Sequence, residues 1–303
     1  MKNRTALLAL IAAGTIWGST IALSKLSLEW LDPSWLAAMR FLVAAPVLAL
    51  ISRAHLRRAL TPRVVVSGAL GIGLTMLLQN AGIAHTSVSH AAIIVGGLPV
   101  IVAVIAAGAG HGSSRPMLWL GYGVALGGII LVARGGGGGA TSGGDLLVLA
   151  STVVSAAFIA FQPLVLKGQD AGAVTAVQFA AGAAVATPVA LLGGLPHAPA
   201  ATPPVVAFVA LALAGTVLPF WLFAHGQKGT SPELAGAMVN LEPLVGAVVG
   251  WIGFGDPCGV SQVLGAIALV AGILLSTVPW ERLPLATLPR RAGALRPYFG
   301  ARW

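Results

Sequence analysis

Ten stretches of about twenty residues, almost free of charge, follow one another along this chain. A helix needs roughly 20 mostly apolar residues to cross the hydrocarbon core of a bilayer. The stretches are 6–26, 35–52, 64–84, 87–108, 117–133, 145–166, 173–192, 205–225, 234–254 and 261–278. Inside lipid every backbone donor and acceptor must be satisfied within the protein, which leaves helices or a closed barrel. A lipid-facing barrel would show ten-residue segments of alternating hydrophobicity, and the sequence has continuous apolar runs instead. The expectation is an all-α integral membrane protein with ten transmembrane helices. Composition agrees: 57% of residues are hydrophobic, 8% are charged and mean hydropathy is +0.93. A soluble domain carries about 25% charged residues.

Several function classes drop out. The formal charge of +9 does not point to nucleic acid, because the basic residues lie in short patches between long uncharged runs. Cys258 is the single cysteine, so no intramolecular disulfide or cysteine-based metal cluster can form. Neither a GxxxxGK[ST] loop nor an HExxH pair occurs, and no cofactor or metal is expected. Lys2 and Arg4 before "ALLALIAAG" allow a signal-peptide reading, but the apolar run is too long for a typical h-region and is read as a span.

Charge also orients the chain. With the N-terminus in the cytoplasm, fourteen of the seventeen Lys and Arg residues fall on the inner side and only Arg134 falls outside. Lys25 and Arg40 lie in or near spans, and the outer loops carry Glu29, Asp32, Asp145 and Asp256. Losing any one span would scramble this split. The reading is a multi-pass protein of the cell (inner) membrane with both termini cytoplasmic. Residues 281–303 are read as a basic cytoplasmic tail near anionic lipid.

The run "RGGGGGATSGGD" divides the chain almost equally and is a flexible linker by composition. The two halves match at an offset of 144 residues. Gly82, Thr86, Ser87, Pro99 and Ala103 fall on Gly226, Thr230, Ser231, Pro243 and Ala247, and Gly121 and Gly128 fall on Gly265 and Gly272. The expected organisation is a first module at 1–133, a linker at 134–144, a second module at 145–280 and the tail. Five spans per module is odd, so the second enters from the opposite side, giving two inverted five-helix repeats. Secondary transporters recur with this design, their sites lying at mid-membrane where helices are interrupted. Pro99 and Pro243 are the paired helix-break candidates, since proline removes a donor and crowds the preceding turn. Pro188 and Pro219 are unpaired breaks in spans 7 and 8.

"TIWGSTIALSKL…PSWLAAMRFLVAA" resembles the start of an EamA-type module of the drug/metabolite transporter superfamily, in which Trp-Gly opens span 1 and Arg-Phe marks span 2. "GIAHTSVSHAAIIVGGLPVIVAVIAAG" resembles spans 3 and 4. "GQKGTSPELAGAMVNLEPLVGAVVGWIGFGD" and "LGAIALVAGILL" resemble spans 8 to 10. The resemblance covers nearly the whole chain and implies a cavity between the modules, lined by spans 1, 3, 4, 6, 8 and 9. It departs where the family ends spans 4 and 9 with Gly-Glu, because this chain has "GHG" at 110–112 and "GDP" at 255–257.

Glu242 lies about nine residues into span 9, roughly 12–14 Å along its axis. An ionised carboxylate facing lipid there costs at least about 2.5 kcal/mol, so it should face protein or a wet cavity. It either staples the bundle or binds a proton or a substrate ammonium. Gly246, Gly250 and Gly253 share its face, leaving room for a close helix or for substrate. Trp17, mid-span in span 1, walls a pocket or packs on Gly14 and Gly18, and Trp221 is a similar candidate. Asn80 and Asn240 are further substrate candidates, whereas Gln79, Gln162 and Gln178 are explained as interhelical glue. Arg40 and Lys25 are expected to snorkel outward, Arg40 alternatively pairing with Glu29 or Asp32 or gating anions. His90 and His225 are expected to be packing residues rather than proton relays. "GTIWG", "GVALG" and "GAVVG" predict close helix contacts without implying dimerisation.

These features point to a secondary active transporter whose partners are the lipid bilayer, a small solute and protons. The cargo would be a polar or amphipathic metabolite, an amino acid or drug-like molecule, moved outward. An uncoupled facilitator would share every feature. A lipid-modifying enzyme would need acids, histidines or a nucleophile clustered at one interface, and a scaffold or sensor would be expected to carry a large soluble domain.

Overall fold

The structure, a computed structural model, describes residues 2–106, 108, 116–134, 139–219, 222–223 and 241–277. Eleven helices carry the architecture of these residues. They are α1 (Lys2–Ser27), α2 (Pro33–Ile51), α3 (Pro62–Ala84), α4 (Val88–Val95), α5 (Leu98–Ala106) and α6 (Pro116–Arg134). After the glycine run come α7 (Ser142–Leu166), α8 (Ala171–Leu192), α9 (Thr202–Val217), α10 (Leu241–Gly253) and α11 (Val260–Thr277). Six helical stretches among the described residues are long and apolar enough to cross a membrane, α4 and α5 counting as one; shorter apolar helices fall at the other four expected positions. Residues 135–138 of the linker and the tail at 281–303 lie outside the described residues.

Local chemistry fixes several ends. Pro33 and Pro62 open α2 and α3, where a missing N–H is harmless. Thr61, Ser87, Thr141 and Asp170 cap α3, α4, α7 and α8, each side chain accepting a backbone N–H three residues on. Pro188 proves not to break span 7, because α8 runs through it to Leu192. Neighbouring helices can satisfy the group a proline frees in a membrane helix.

The helix contacts have an internal symmetry. α2 packs on α8, α6 on α11 and α4 on α10, each joining corresponding spans of the two halves. The remaining principal contacts exchange with one another: α1 meets α10 as α7 meets α5, and α1 meets α9 as α7 meets α3. At the α6–α11 crossing Gly121 lies against Gly272 and Ser276, while Gly128 lies against Gly265 and Leu269. Residue numbers rise on one helix as they fall on the other, so these two helices run antiparallel. Because Gly265 and Gly272 are the 144-residue counterparts of Gly121 and Gly128, the crossing is self-complementary.

"GVALG" does not make its expected contact: a Cβ on Gly123 or Gly127 would meet nothing within 4 Å. Spacing identifies a small-residue stripe but not the side of the helix that faces a partner. The stripe in use is Gly121 and Gly128, seven residues apart.

Two π-helical segments interrupt the α-helical hydrogen-bonding pattern, Ala69–Leu74 in α3 and Leu213–Val217 in α9. They begin 144 residues apart, in the register of the repeat, with Gly71 opposite Gly215 in the alignment. Gly71 admits the Phe158 ring of α7, and Gly215 admits Thr20 of α1. Each half therefore uses the same local irregularity to seat the first helix of the other.

Buried amides add directional bonds. Gln178 of α8 exchanges two hydrogen bonds with Gln162 of α7, at 3.1 and 2.9 Å, and its nitrogen also donates to Ser67 Oγ of α3 at 2.9 Å. A Gln178→Leu substitution should cost about 1–2 kcal/mol, because it strands two partners inside the bundle. Thermal unfolding in detergent measures this; a variant as stable as the parent would remove the network from the account of stability.

Candidate functional site

Exposure along each helix separates lipid-facing from inward positions. On α10 the exposed stripe is Leu244, Val248 and Ile252, on α2 it includes Leu42, Pro46 and Leu50, and on α1 it includes Leu8, Ile11 and Thr15. Two residues turn a helix by 200°. Glu242, two before Leu244, Arg40, two before Leu42, and Trp17, two after Thr15, therefore point away from those stripes. All three are nevertheless only half-buried, as are Thr20 and Gln79.

Glu242 is held where α1 and α10 touch. A Cβ on Gly18 would lie 2.6 Å from Val245 Cβ and 2.7 Å from the Glu242 carbonyl oxygen, so the glycine lets the two backbones meet. Gly246 faces Ala92 of α4, and Gly250 faces the Ser89 amide. The glycines after Glu242 thus admit helices rather than substrate at positions 246 and 250. Among the described residues the carboxylate has no hydrogen-bond or ion-pair partner. Trp17, adjacent to Gly18, packs against Phe223, with ring centroids 5.4 Å apart and planes tilted by 56°.

The helix-break candidates differ in what can be seen. Span 4 does fall into two helices, joined through a turn at Gly96–Gly97, with Pro99 in the first turn of α5. Gly97 N donates to Ile94 O at 3.0 Å, and Ile101 N returns to Gly97 O at 3.2 Å. Pro243 is buried beside the same break, because a Cβ on Gly96 would sit 2.6 Å from its Cβ. Trp221, Asn240, His225 and residues 110–112 lie outside the described residues.

Asn80 is 1% exposed and donates to the Pro33 carbonyl at 3.2 Å, holding α3 to the start of α2. Arg40 turns inward instead of snorkelling, and Lys25 is anchored on backbone carbonyls. Arg40 Nε donates to Thr216 Oγ1 at 2.8 Å, and its Nη1 lies 3.6 Å from Met76 Sδ. Lys25 Nζ donates to the carbonyls of Ile83, Ala84 and Thr86 at 2.7, 3.2 and 2.7 Å. The first two are orphan acceptors at the end of α3, where a cation is favoured by the helix dipole.

Sequence reasoning missed the cluster behind Lys25. His90 is 1% exposed, and its Nδ1 lies 3.0 Å from Asp145 Oδ2. The Thr86 hydroxyl donates to the other carboxylate oxygen. Thr141, which caps α7, also donates to the His85 carbonyl at 2.8 Å. Asp256 accepts the Ser89 amide at 2.7 Å, capping α4 from the second half of the chain. Asp145, in the first turn of α7, and Asp256, after α10, thus grip the α3–α4 corner from two directions. The Thr-Ser pair of the repeat was the available signal, but its acidic partners are remote in sequence.

Two grooves formed by described residues are apolar. One of about 840 Å³ lies between α2 and α8, lined by Phe41, Ala45, Pro46, Ala180 and Thr187 among others, and another of about 890 Å³ lies between α3 and α7. Neither includes Trp17, Arg40 or Glu242.

Comparison with known proteins gives a consistent answer. The sequence profile of the EamA-like transporter family matches residues 4–134 and 142–278. An uncharacterized transporter of Archaeoglobus fulgidus is 24% identical over 289 residues, spanning 91% of this chain and 98% of its own. A second uncharacterized transporter of that organism is 31% identical over 68 residues, 22% of this chain and 25% of that protein. A protein crystal structure superposes with a TM-score of 0.65 at 18% identity, over 91% of this chain and 97% of that one, a likeness of fold alone.

Proposed function

Because this chain belongs to the EamA-like transporter family and is a multi-pass membrane transporter, we propose that it exports a small polar or amphipathic solute by proton-coupled alternating access. The proposed architecture is ten spans in two inverted modules, 1–133 and 145–280, with both termini in the cytoplasm and the chain in the cell membrane. The antiparallel, self-complementary crossing of α6 and α11 supports inversion, since corresponding helices that run antiparallel enter the membrane from opposite sides. The shared register of the two π segments supports the repeat itself. Rocking of one module against the other would expose a hollow between them to each side in turn.

The observation that carries the mechanism is Glu242. It points inward, is half-buried, has its backbone carbonyl against Gly18, the residue after Trp17, and has no side-chain partner among the described residues. Protons entering and solute leaving would compete for this carboxylate, so that one displaces the other. Trp17 forms an apolar wall beside it, with Trp221 and Asn240 as further proposed contacts. Asn80 serves the reading as a support for α3.

Purified protein in liposomes, screened against labelled amino acids, amines and drug-like cations with and without an imposed pH difference, tests the proposal. At one proton per solute, each pH unit can sustain about a tenfold solute gradient. Glu242→Gln should abolish that accumulation while leaving downhill exchange measurable. A Glu242→Gln protein that still concentrates solute as the parent does would exclude the carboxylate as the coupling group. Wild-type flux indifferent to collapse of the pH gradient would mark an uncoupled facilitator.

A further inference from the structure

Arg40 is a cation in the interior of the bundle with no acid beside it. It lies seven residues past Pro33 in α2, about 10 Å along the helix. Its side chain turns inward to Thr216 rather than outward to Glu29 or Asp32. Among the described residues no carboxylate pairs with it. An unpaired charge at such depth is strongly disfavoured, and intramembrane ionisable groups face cavities or partners.

Its contacts are chemically incomplete. A guanidinium has five N–H donors. One goes to Thr216 Oγ1 and one to Met76 Sδ, a weak acceptor, which leaves three without an acceptor among the described residues. Because Nε is engaged, the free donors belong to the two terminal nitrogens. That end of the group can bind both oxygens of a carboxylate in a fork.

The position is also constructed by both repeats. Thr216 belongs to the π segment of α9, and its hydroxyl donates to Leu211 O at 2.8 Å, five residues back. The hydroxyl oxygen is thereby oriented to accept from Arg40. Met76 follows two residues after the π segment of α3. One irregular segment supplies Thr216 and the helical turn after its counterpart supplies Met76, and π segments recur at functional sites.

We infer that Arg40, positioned by Thr216, is the carboxylate-binding residue of the transport pathway, and that the cargo carries a carboxylate. This rests on the transporter reading above and narrows its solute class. A dianionic phosphate is a poorer fit, because no second cation accompanies Arg40 among its contacts. With Glu242 serving a cationic group, the favoured solutes are amino-carboxylates. Arg40 touches the solute; Thr216 is a positioning residue.

The test compares labelled L-amino acids with the corresponding amines that lack only the carboxylate, using full-length protein in liposomes. Wild type should carry amino acids at least tenfold better than the amines. Arg40→Gln should lose amino-acid flux at least tenfold and retain amine flux, with Arg40→Lys intermediate. Thr216→Val should raise the half-saturation concentration for amino acids several-fold and leave that for amines unchanged. Folded Arg40→Gln carrying amino acids like wild type, or losing both solute sets equally, would overturn the inference. Should Arg40→Gln fail to fold, Arg40→Lys and Thr216→Val decide by the same split: selective loss of amino acids supports it and equal loss refutes it. Wild type carrying amines alone would defeat this inference and leave the transporter reading standing. Wild type moving no solute of the wider screen would defeat the solute assignment on which both rest.

Discussion

Gly128→Leu is expected to leave little folded protein, whereas Gly127→Leu, one residue earlier, is expected to be nearly silent. A Cβ at position 128 would lie 2.5 Å from the Gly265 carbonyl oxygen and 2.7 Å from the Leu269 amide. Both obstacles are backbone, so no side-chain rotation relieves them and the α6–α11 pair must separate. Overpacking a core that can adjust costs about 1–3 kcal/mol. Here the adjustment dismantles a crossing whose two ends mirror each other, and the cost should be at least about 3 kcal/mol. At position 127 a Cβ meets nothing within 4 Å, so the change should stay within about 0.5 kcal/mol. Yield of monodisperse protein in detergent and its unfolding temperature measure the contrast. Equal behaviour of the two variants would mean that the helices do not cross at these glycines.

That contrast also separates what could be read in the sequence from what could not. The all-helical, membrane-spanning character was legible because lipid imposes a length and a composition on each helix, and six helical stretches among the described residues meet both. The repeat was legible because Pro99 and Pro243, Gly121 and Gly265, and Gly128 and Gly272 keep one register. The face of a helix that meets its neighbour was not legible: "GVALG" is a better small-xxx-small motif than Gly121 and Gly128, yet it faces open space. Nor do "ALGIGL" and "LAGTV" announce π segments, since an i→i+5 pattern has no residue signature comparable to a cap or a proline. The inward position of Glu242 follows from its cost in lipid, which sequence supplies. Arg40 went the other way, because Thr216, which holds it inward, is remote in sequence. The same limit hid the His90 cluster, whose acid lies 55 residues away.

Asp145→Ala should be the most damaging change at that cluster. The carboxylate is 7% exposed and joins two groups of the first half, Thr86 and His90, to the first turn of α7. His90 Nδ1 and Asp145 Oδ2, 3.0 Å apart, share one hydrogen bond. Removing the carboxylate leaves two buried polar groups, the Thr86 hydroxyl and the His90 ring nitrogen, without their partner, at about 1–3 kcal/mol each. The loss is aggravated by crowding, since Gly144 packs on the His85 carbonyl and Gly82 on Val148, leaving little room for solvent. Asp145→Asn keeps an acceptor and should cost less, about 1–3 kcal/mol. A double-mutant cycle with His90→Gln isolates the pair: residues in one network couple by about 0.5–3 kcal/mol. Strict additivity would mean that the two side chains do not interact in the folded protein. If they do, the corner between α3 and α4 is fastened to the second half through Asp145 and Asp256 alike. Any rocking of the halves must then either carry this corner along with α7 or break these bonds on each cycle. Measuring flux in Asp145→Asn separates the two. Unchanged flux fits a corner that moves as one body with α7, and faster flux fits a latch that opens.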